Sequence, residues 1–375
     1  MLGNPSVGVV YGPELLRYDF GGSHPLAQTR LTLTSSLVSA TVGEAGSVRM
    51  IDPVSGVEDQ ALVFHTARYL DQVREIERRG SYLDGGDTPS FPGCVEASLW
   101  FVGSTIDLIN RVMAGELRRA FLVGGGFHHA SRQSASGFCI LNDCAIAIGH
   151  LQRSYDLDRI LYVDIDGHHG DGVMYGFYDD GGVLDVDFHE DGRYLFPGTG
   201  HVNEIGSGEG RGRKLNLPCP PGTGDKEYLA AWEAIAVPVI ERFRPQFILL
   251  QAGADSHAGD PLTHMGLTTS SYDSITRSLV SLAERYCDGR MVAFGGGGYN
   301  IGNVAVCWTT VVCALASLMQ PDETPMAWRE EFEASTGQGA PTNFREDMTA
   351  GAWADGLHRT VEQVAGHIAS DGRIS

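Results

Sequence analysis

The sequence predicts an α/β protein built on a mainly parallel sheet with helices on both faces. Two observations carry the prediction. Short apolar, β-rich runs alternate with amphipathic stretches of helical length. Nearly every run is followed at once by small and polar residues, as in parallel sheets whose ligands bind beyond the carboxyl ends of the strands. A third observation bounds the size: 375 residues with 42% hydrophobic content can bury a large core. No linker rich in Pro, Gly or Ser divides the chain, so residues 1–375 are expected to form a single domain.

The first strand is predicted over residues 7–11, and the first long helix over 95–113. A second strand over 120–123 ends in Gly124-Gly125-Gly126-Phe127-His128-His129, and a helix is predicted over 141–152. The third strand, 160–163, runs straight into Asp164-Ile165-Asp166-Gly167-His168-His169-Gly170-Asp171. Residues 183–186 form the fourth strand, ahead of a helix over 227–243. The fifth strand, 247–250, is followed by Gln251-Ala252-Gly253-Ala254-Asp255 and a helix over 271–286. The sixth, 291–294, leads into Gly295-Gly296-Gly297-Gly298-Tyr299 and a helix over 304–319. The motif-bearing core covers about residues 5–320; the C-terminal extension, 321–375, carries no motif. Four polar segments at four strand ends are thus expected to converge on one crevice.

Composition excludes several classes. No window of about 18 apolar residues suggests a spanning helix. The first five residues lack a basic stretch followed by an apolar run, so no secretory signal is expected and the cytoplasm is the predicted compartment. Seven cysteines without a C-x-x-C pair point to reduced thiols. A formal charge of -20 disfavours binding to nucleic acid and favours cationic or lysine-bearing substrates. Oligomeric state is not indicated.

The segment 164–171 holds three carboxylates and two imidazoles in eight positions. Burying ionised carboxylates without partners is costly, so a cation is expected there. Asp166, His168 and Asp255 suit a divalent ion that keeps an open position for water. Two carboxylates nearly cancel a dication, weakening it as a Lewis acid, so further groups must activate water and stabilise an oxyanion. His128 and His129 supply a general base and acid, each able to take a carboxylate partner from Asp164 and Asp171. Tyr299 follows four glycines, whose flexible backbone would let its hydroxyl reach a developing oxyanion.

These residues resemble the histone deacetylase superfamily, and within it the bacterial acetoin-utilisation deacetylases, which are close to the class I enzymes. The resemblance rests on His24-Pro25-Leu26, Asp87-Thr88-Pro89, residues 125–130, Ser136-Gly137-Phe138-Cys139 and residues 164–172. It continues through residues 194–200 (Tyr-Leu-Phe-Pro-Gly-Thr-Gly), Gly253-Ala254-Asp255, Asp260-Pro261-Leu262 and residues 295–299. It implies an arginase-like α/β/α fold with an eight-stranded, mainly parallel sheet, and hydrolysis of N-ε-acetyl-lysine in proteins or peptides. The metal implied is zinc, or iron(II), on Asp166, His168 and Asp255. His128 and His129 would be the catalytic pair, with Asp164 and Asp171 as partners and Tyr299 polarising the carbonyl. Asp87 matches the rim aspartate that holds substrate backbone. Gly137, Phe138, Phe196 and Leu262 match the tunnel walls, and Arg30 an arginine of the acetate-exit cavity.

One position departs from the pattern. Asp187 stands where the family commonly has Ser, beside Asp164 and Asp166 in the segment that holds a structural monovalent cation, so potassium is expected there with altered binding. The acetoin branch implies an acetylated metabolic enzyme such as acetyl-CoA synthetase as substrate. Competing readings are an acetylpolyamine amidohydrolase and a non-catalytic acyl-ligand binder of the same fold. The first usually has Glu-Gly-Gly-Tyr where this chain has Gly-Gly-Gly-Tyr. An arginase-like ureohydrolase would need two manganese ions, whereas Asp164 and Asp171 are used here by the histidines.

Overall fold

The computed structural model of the chain describes residues 7–22, 24–43, 45–351 and 354–370. The first six residues, on which the expectation of no secretory signal bears, lie outside these. Among the described residues, no helix is long and apolar enough to cross a membrane.

Eight strands form one all-parallel sheet in the order β2-β1-β3-β8-β7-β4-β5-β6. They are β1 (Val7–Val10), β2 (Val48–Ile51), β3 (Arg119–Leu122), β4 (Ile160–Asp164), β5 (Val183–Glu190), β6 (Lys214–Cys219), β7 (Phe247–Gln251) and β8 (Met291–Phe294). The four strands that lead into the polar segments, β3, β8, β7 and β4, are adjacent. Their register is level at the carboxyl ends: Leu122 pairs with Phe294, Phe294 with Gln251, and Gln251 with Asp164. Strands about 4.8 Å apart therefore bring all four segments within a band roughly 14 Å wide.

The helices Cys94–Met113 and Asp143–Tyr155 pack together against one face of the sheet. Thr29–Val42, Thr269–Tyr286 and Ile301–Leu315 pack together against the other. The sequence Ile-Gly-Asn-Val-Ala-Val-Cys-Trp of the last is apolar nearly all round, and accordingly it is buried nearly all round. Asn300 caps it, its side chain accepting a hydrogen bond from the Asn303 amide. All seven cysteines are buried and unpaired.

The sequence patterns identify the six inner strands of this sheet and miss both edges. Edge strand β2, Val-Arg-Met-Ile, is half exposed and too polar to read as an apolar run. Edge strand β6, Lys-Leu-Asn-Leu-Pro-Cys, contains Pro218, a residue an edge tolerates and a central strand does not. Strand β5 extends four residues past its apolar run because its polar side chains find partners. Asp187 Oδ1 lies 2.6 Å from His189 Nδ1, and Glu190 Oε1 lies 2.8 Å from His264 Nδ1. The helix predicted over 227–243 is interrupted by a widened turn at Trp232–Ala236, just before Pro238, which lacks the amide proton a continuous ladder requires.

The C-terminal extension also folds, into helices Met326–Thr336 and Ala354–Ser370. It is tied to the rest through Asp225, a fully buried carboxylate. Asp225 accepts hydrogen bonds from the Thr268 amide at 2.9 Å, the Ser271 hydroxyl at 2.6 Å and the Thr349 amide at 2.8 Å. Removing it strands these donors in the interior, a loss of about 3 to 5 kcal/mol. Asp225→Ala is expected to lower the thermal midpoint by about 5 °C or more in a scanning unfolding experiment. An unchanged midpoint would contradict this account of how the extension is held.

Candidate active site

After β3 the chain turns through Gly124, Gly125 and Gly126, all with positive φ. The turn is fixed by Asp143, at the start of the following helix, whose two oxygens accept from the amides of Gly126 (3.0 Å) and Phe127 (2.8 Å). This delivers His128 and His129 to the interior, both nearly inaccessible. His128 Nδ1 lies 2.7 Å from Asp164 Oδ2, and His129 Nδ1 lies 2.7 Å from Asp171 Oδ1. The two Nε2 atoms are 3.0 Å apart. Burial opposes the charge on each ring, but the outcomes differ. At His128 the carboxylates of Asp164 and Asp166 outweigh burial and hold the imidazole up at about 10. At His129 burial and the neighbouring His128 charge prevail and depress it to about 4. Near neutral pH the pair is therefore one charged ring, His128, beside one neutral ring, His129.

Asp166, His168 and Asp255 are buried and present ligand atoms within 4.8 Å of one another. His168 Nδ1 is 3.2 Å from Asp166 Oδ1 and 2.9 Å from Asp255 Oδ2. Asp255 is pushed up to about 7 by burial and by the Asp166 charge. His168 is held up at about 10, both carboxylates outweighing its burial. Two buried carboxylates thus compete for one imidazole, a conflict that a divalent cation would relieve, and the oxygen, oxygen, nitrogen donor set fits such an ion. The outer oxygens are already oriented. Asp166 Oδ2 accepts from Gln251 Nε2 at 2.8 Å and from the Gly297 amide at 2.9 Å, while Asp255 Oδ1 accepts from the Gly167 amide at 2.7 Å.

The glycines before Tyr299 serve close approach more than the flexibility expected of them. A Cβ at Gly297 would lie 2.2 Å from Asp255 Oδ2, and Gly296 has φ of +110°. The loop is clamped by buried Arg30, whose Nη1 donates to the carbonyls of Gly296 (2.9 Å) and Gly298 (3.1 Å). Tyr299 is thereby presented on a fixed backbone, its own amide donating to Asp260 Oδ2 at 2.7 Å. Burial and the charges of Asp255 and Asp166 raise its phenol well above the ordinary value, so it stays a proton donor.

One cavity is lined by Arg30, His128, His129, Gly137, Phe138, Asp166 and Tyr299. Phe196 packs edge-on against His129, with ring centroids 5.0 Å apart. Gly137 lies so close to the His129 ring that a Cβ there would come within 2.4 Å of it. Phe138 adopts φ of +67° and is pinned by Tyr18, whose hydroxyl donates to the Phe138 carbonyl at 2.7 Å. Asp87 and Leu262 are not in the cavity lining; both are exposed at the surface. Asp87 is pushed up to about 6 by its partial burial and by Asp84. Asp187 is not in the cavity lining; its oxygens are engaged by His189 and by the Gly170 amide at 2.7 Å. His169 Nδ1 lies 2.8 Å from Thr199 Oγ1, outside the Asp166, His168 and Asp255 cluster. Asp143, Tyr162 and Gln251 have no role in the sequence reading, yet they orient the cluster; the Tyr162 hydroxyl donates to Asp164 Oδ2 at 2.6 Å. Period-two alternation from Asp164 back to Tyr162 was the available signal for the tyrosine.

Comparison with known proteins points to one family. The family model described as Histone deacetylase domain matches residues 24–315. The chain is 38% identical over 346 residues to the Acetoin utilization protein AcuC of Bacillus subtilis (strain 168), covering 90% of this chain and 89% of that one. It is 36% identical over 352 residues to the protein of the same name from Staphylococcus xylosus, covering 91% of each. The crystal structure of the HDA15 HD domain superimposes with a TM-score of 0.81 at 25% identity, over 98% of this chain and 95% of that one. With its eight-stranded parallel sheet, its helices on both faces and these relatives, the chain belongs to the histone deacetylase family.

Proposed function

We propose that the chain is a metal-dependent amidohydrolase that removes acetyl groups from N-ε-acetyl-lysine in polypeptides. The observation that carries this is the meeting, in one region, of the Asp166, His168 and Asp255 cluster with two His–carboxylate pairs and the Tyr299 phenol. Asp166, His168 and Asp255 would hold zinc or iron(II), which when bound supplies a Lewis acid that polarises the acyl carbonyl and acidifies water. His129, neutral and anchored on Asp171, accepts the water proton at Nε2 and returns it to the departing lysine amine. His128, charged beside Asp164, stabilises the negative charge that develops on the acyl group. Tyr299 donates a hydrogen bond to the same oxyanion. Gly137, Phe138 and Phe196 flank the aliphatic lysine stem, Leu262 and Asp87 meet the substrate outside the cavity, where Asp87 accepts from its backbone amides, and Arg30 attracts the acetate product. Asp164, Asp166 and Asp187 are the candidates for a potassium site, where an ion must share oxygens already bonded to His128 and His189. The acetoin-utilization relatives favour an acetylated enzyme of acetate metabolism, such as acetyl-CoA synthetase, as substrate.

The test is acetate release after chelation and after adding back zinc or iron(II), with an acetyl-lysine peptide and N-acetylputrescine side by side. The expected outcome is loss on chelation, recovery with metal, and faster turnover of the peptide. No metal-dependent release from either compound overturns the hydrolase reading. Preference for N-acetylputrescine moves the assignment to acetylated polyamines.

A further inference from the structure

A second groove, of about 520 Å³, lies beside the candidate site and belongs to none of the chemistry above. One wall is the loop after β5, with Arg193, Tyr194 and His201; the floor is the proline run that ends β6; the far wall is the C-terminal helix, with Arg359 and Thr360. That helix is seated by Leu357 and Val364, seven residues apart on one buried face, against the edge strand β6. The Thr360 hydroxyl donates to the Pro218 carbonyl at 3.3 Å.

The lining of the groove runs against the net charge of the chain. The chain carries a formal charge of -20, yet this lining presents two arginines and a histidine against one carboxylate, Asp191. Asp191 is occupied by Arg193 through both oxygens. Arg359 is exposed and has no ion pair among the described residues, so the groove keeps an unmatched cation. Such a site favours an anion over a cation.

Geometry says which anion. Phe196, beside His129, and Tyr194, in the groove, are two residues apart on one loop and both partly exposed, at 43% and 60%. The Cα atoms of such a pair are at most about 7 Å apart. An extended polypeptide advances about 3.3 Å per residue, so a chain whose lysine enters beside Phe196 reaches the groove within about two to five residues. The walls suit it: Tyr194 and the prolines offer rigid apolar surface, and Arg359 a cation at the far side.

We propose that this groove binds an acidic segment of the substrate polypeptide, carrying Asp or Glu about two to five residues from the acetyl-lysine. The proposal rests on the reading of the first cavity as a polypeptide deacetylase site, and it gives the C-terminal extension a part in substrate choice.

The test uses three substrates: a single N-ε-acetyl-lysine amide too short for the groove, a nonapeptide with Glu at the third and fourth positions on either side of acetyl-lysine, and the same peptide with Gln. The acidic peptide is expected to exceed the neutral one in kcat/KM by about fivefold, the upper range for an exposed ion pair, and by less at high salt. In Arg359→Glu, a change at an exposed position, the ratio should fall to one or below while turnover of the single-residue amide stays as in wild type. Fluorescence anisotropy with labelled versions of both peptides reads the same preference without turnover. Equal binding of the two peptides by wild type, or a preference that survives Arg359→Glu, overturns the proposal. Failure to turn over the amide, with the binding preference intact, counts against the deacetylase reading alone.

Discussion

His168→Ala is expected to abolish stoichiometric retention of zinc or iron(II), whereas His169→Ala, one position away, keeps it. The two side chains diverge because the chain turns at Gly167 after β4. His168 Nδ1 lies within 3.2 Å of oxygens on both Asp166 and Asp255. His169 is directed to Thr199 and packs at a tilt against His189, with ring centroids 4.6 Å apart. Losing one of three protein ligands should cost more than the ~10- to 100-fold in affinity that changing a residue behind a ligand costs. His169→Ala instead opens a cavity under the 194–200 loop and is expected to lower stability by about 1 to 3 kcal/mol. Metal content after dialysis, measured by atomic emission alongside a thermal scan, separates the two effects. Equal metal loss in both variants would refute the assignment of His168, and so would full retention in His168→Ala.

The same stretch shows what a sequence makes legible and what it does not. Asp164, Asp166 and Asp171 announce themselves because unpartnered buried carboxylates are costly, so three of them beside a buried strand imply a specific arrangement. The convergence of four strand ends was also readable, since parallel strands must deliver their carboxyl ends to one side of the sheet. The level register that makes the convergence tight was not, because it depends on pairings such as Gln251 with Phe294 and Asp164. Asp143 escapes notice for a different reason. Its carboxylate, raised to about 6 by burial, bonds only backbone amides, and a lone Asp at a helix start reads as an ordinary cap. The edge strands β2 and β6 lack the apolar signature because a strand with one neighbour tolerates Arg49, Asn216 and Pro218. The Gly295 to Gly298 run looked like a source of movement. A buried guanidinium that binds two carbonyls of the run, and carboxylates that leave no room for a Cβ, make it a rigid support instead.

That rigidity sharpens what Tyr299→Phe should do. If the backbone under Tyr299 moved, losing the hydroxyl would alter substrate affinity and loop position together. Because Arg30 and Asp260 hold the loop through backbone atoms, the variant keeps its ring, its packing against Phe138 at 5.9 Å and the shape of the cavity. On the proposed mechanism only the hydrogen bond to the developing oxyanion is lost, an interaction made in the transition state and hardly at all in the ground state. The expected result is a fall in kcat of about 100- to 1000-fold, equivalent to about 2.7 to 4 kcal/mol, with KM for an acetyl-lysine peptide nearly unchanged. Metal content should equal that of wild type, which distinguishes this loss from that in His168→Ala. Steady-state kinetics on metal-loaded protein decides the matter. A drop of less than tenfold would mean that the raised phenol is not the oxyanion donor. A loss confined to KM would mean that Tyr299 holds the substrate equally in ground and transition states, and the clamped glycine loop would then be a binding wall and not part of the catalytic apparatus.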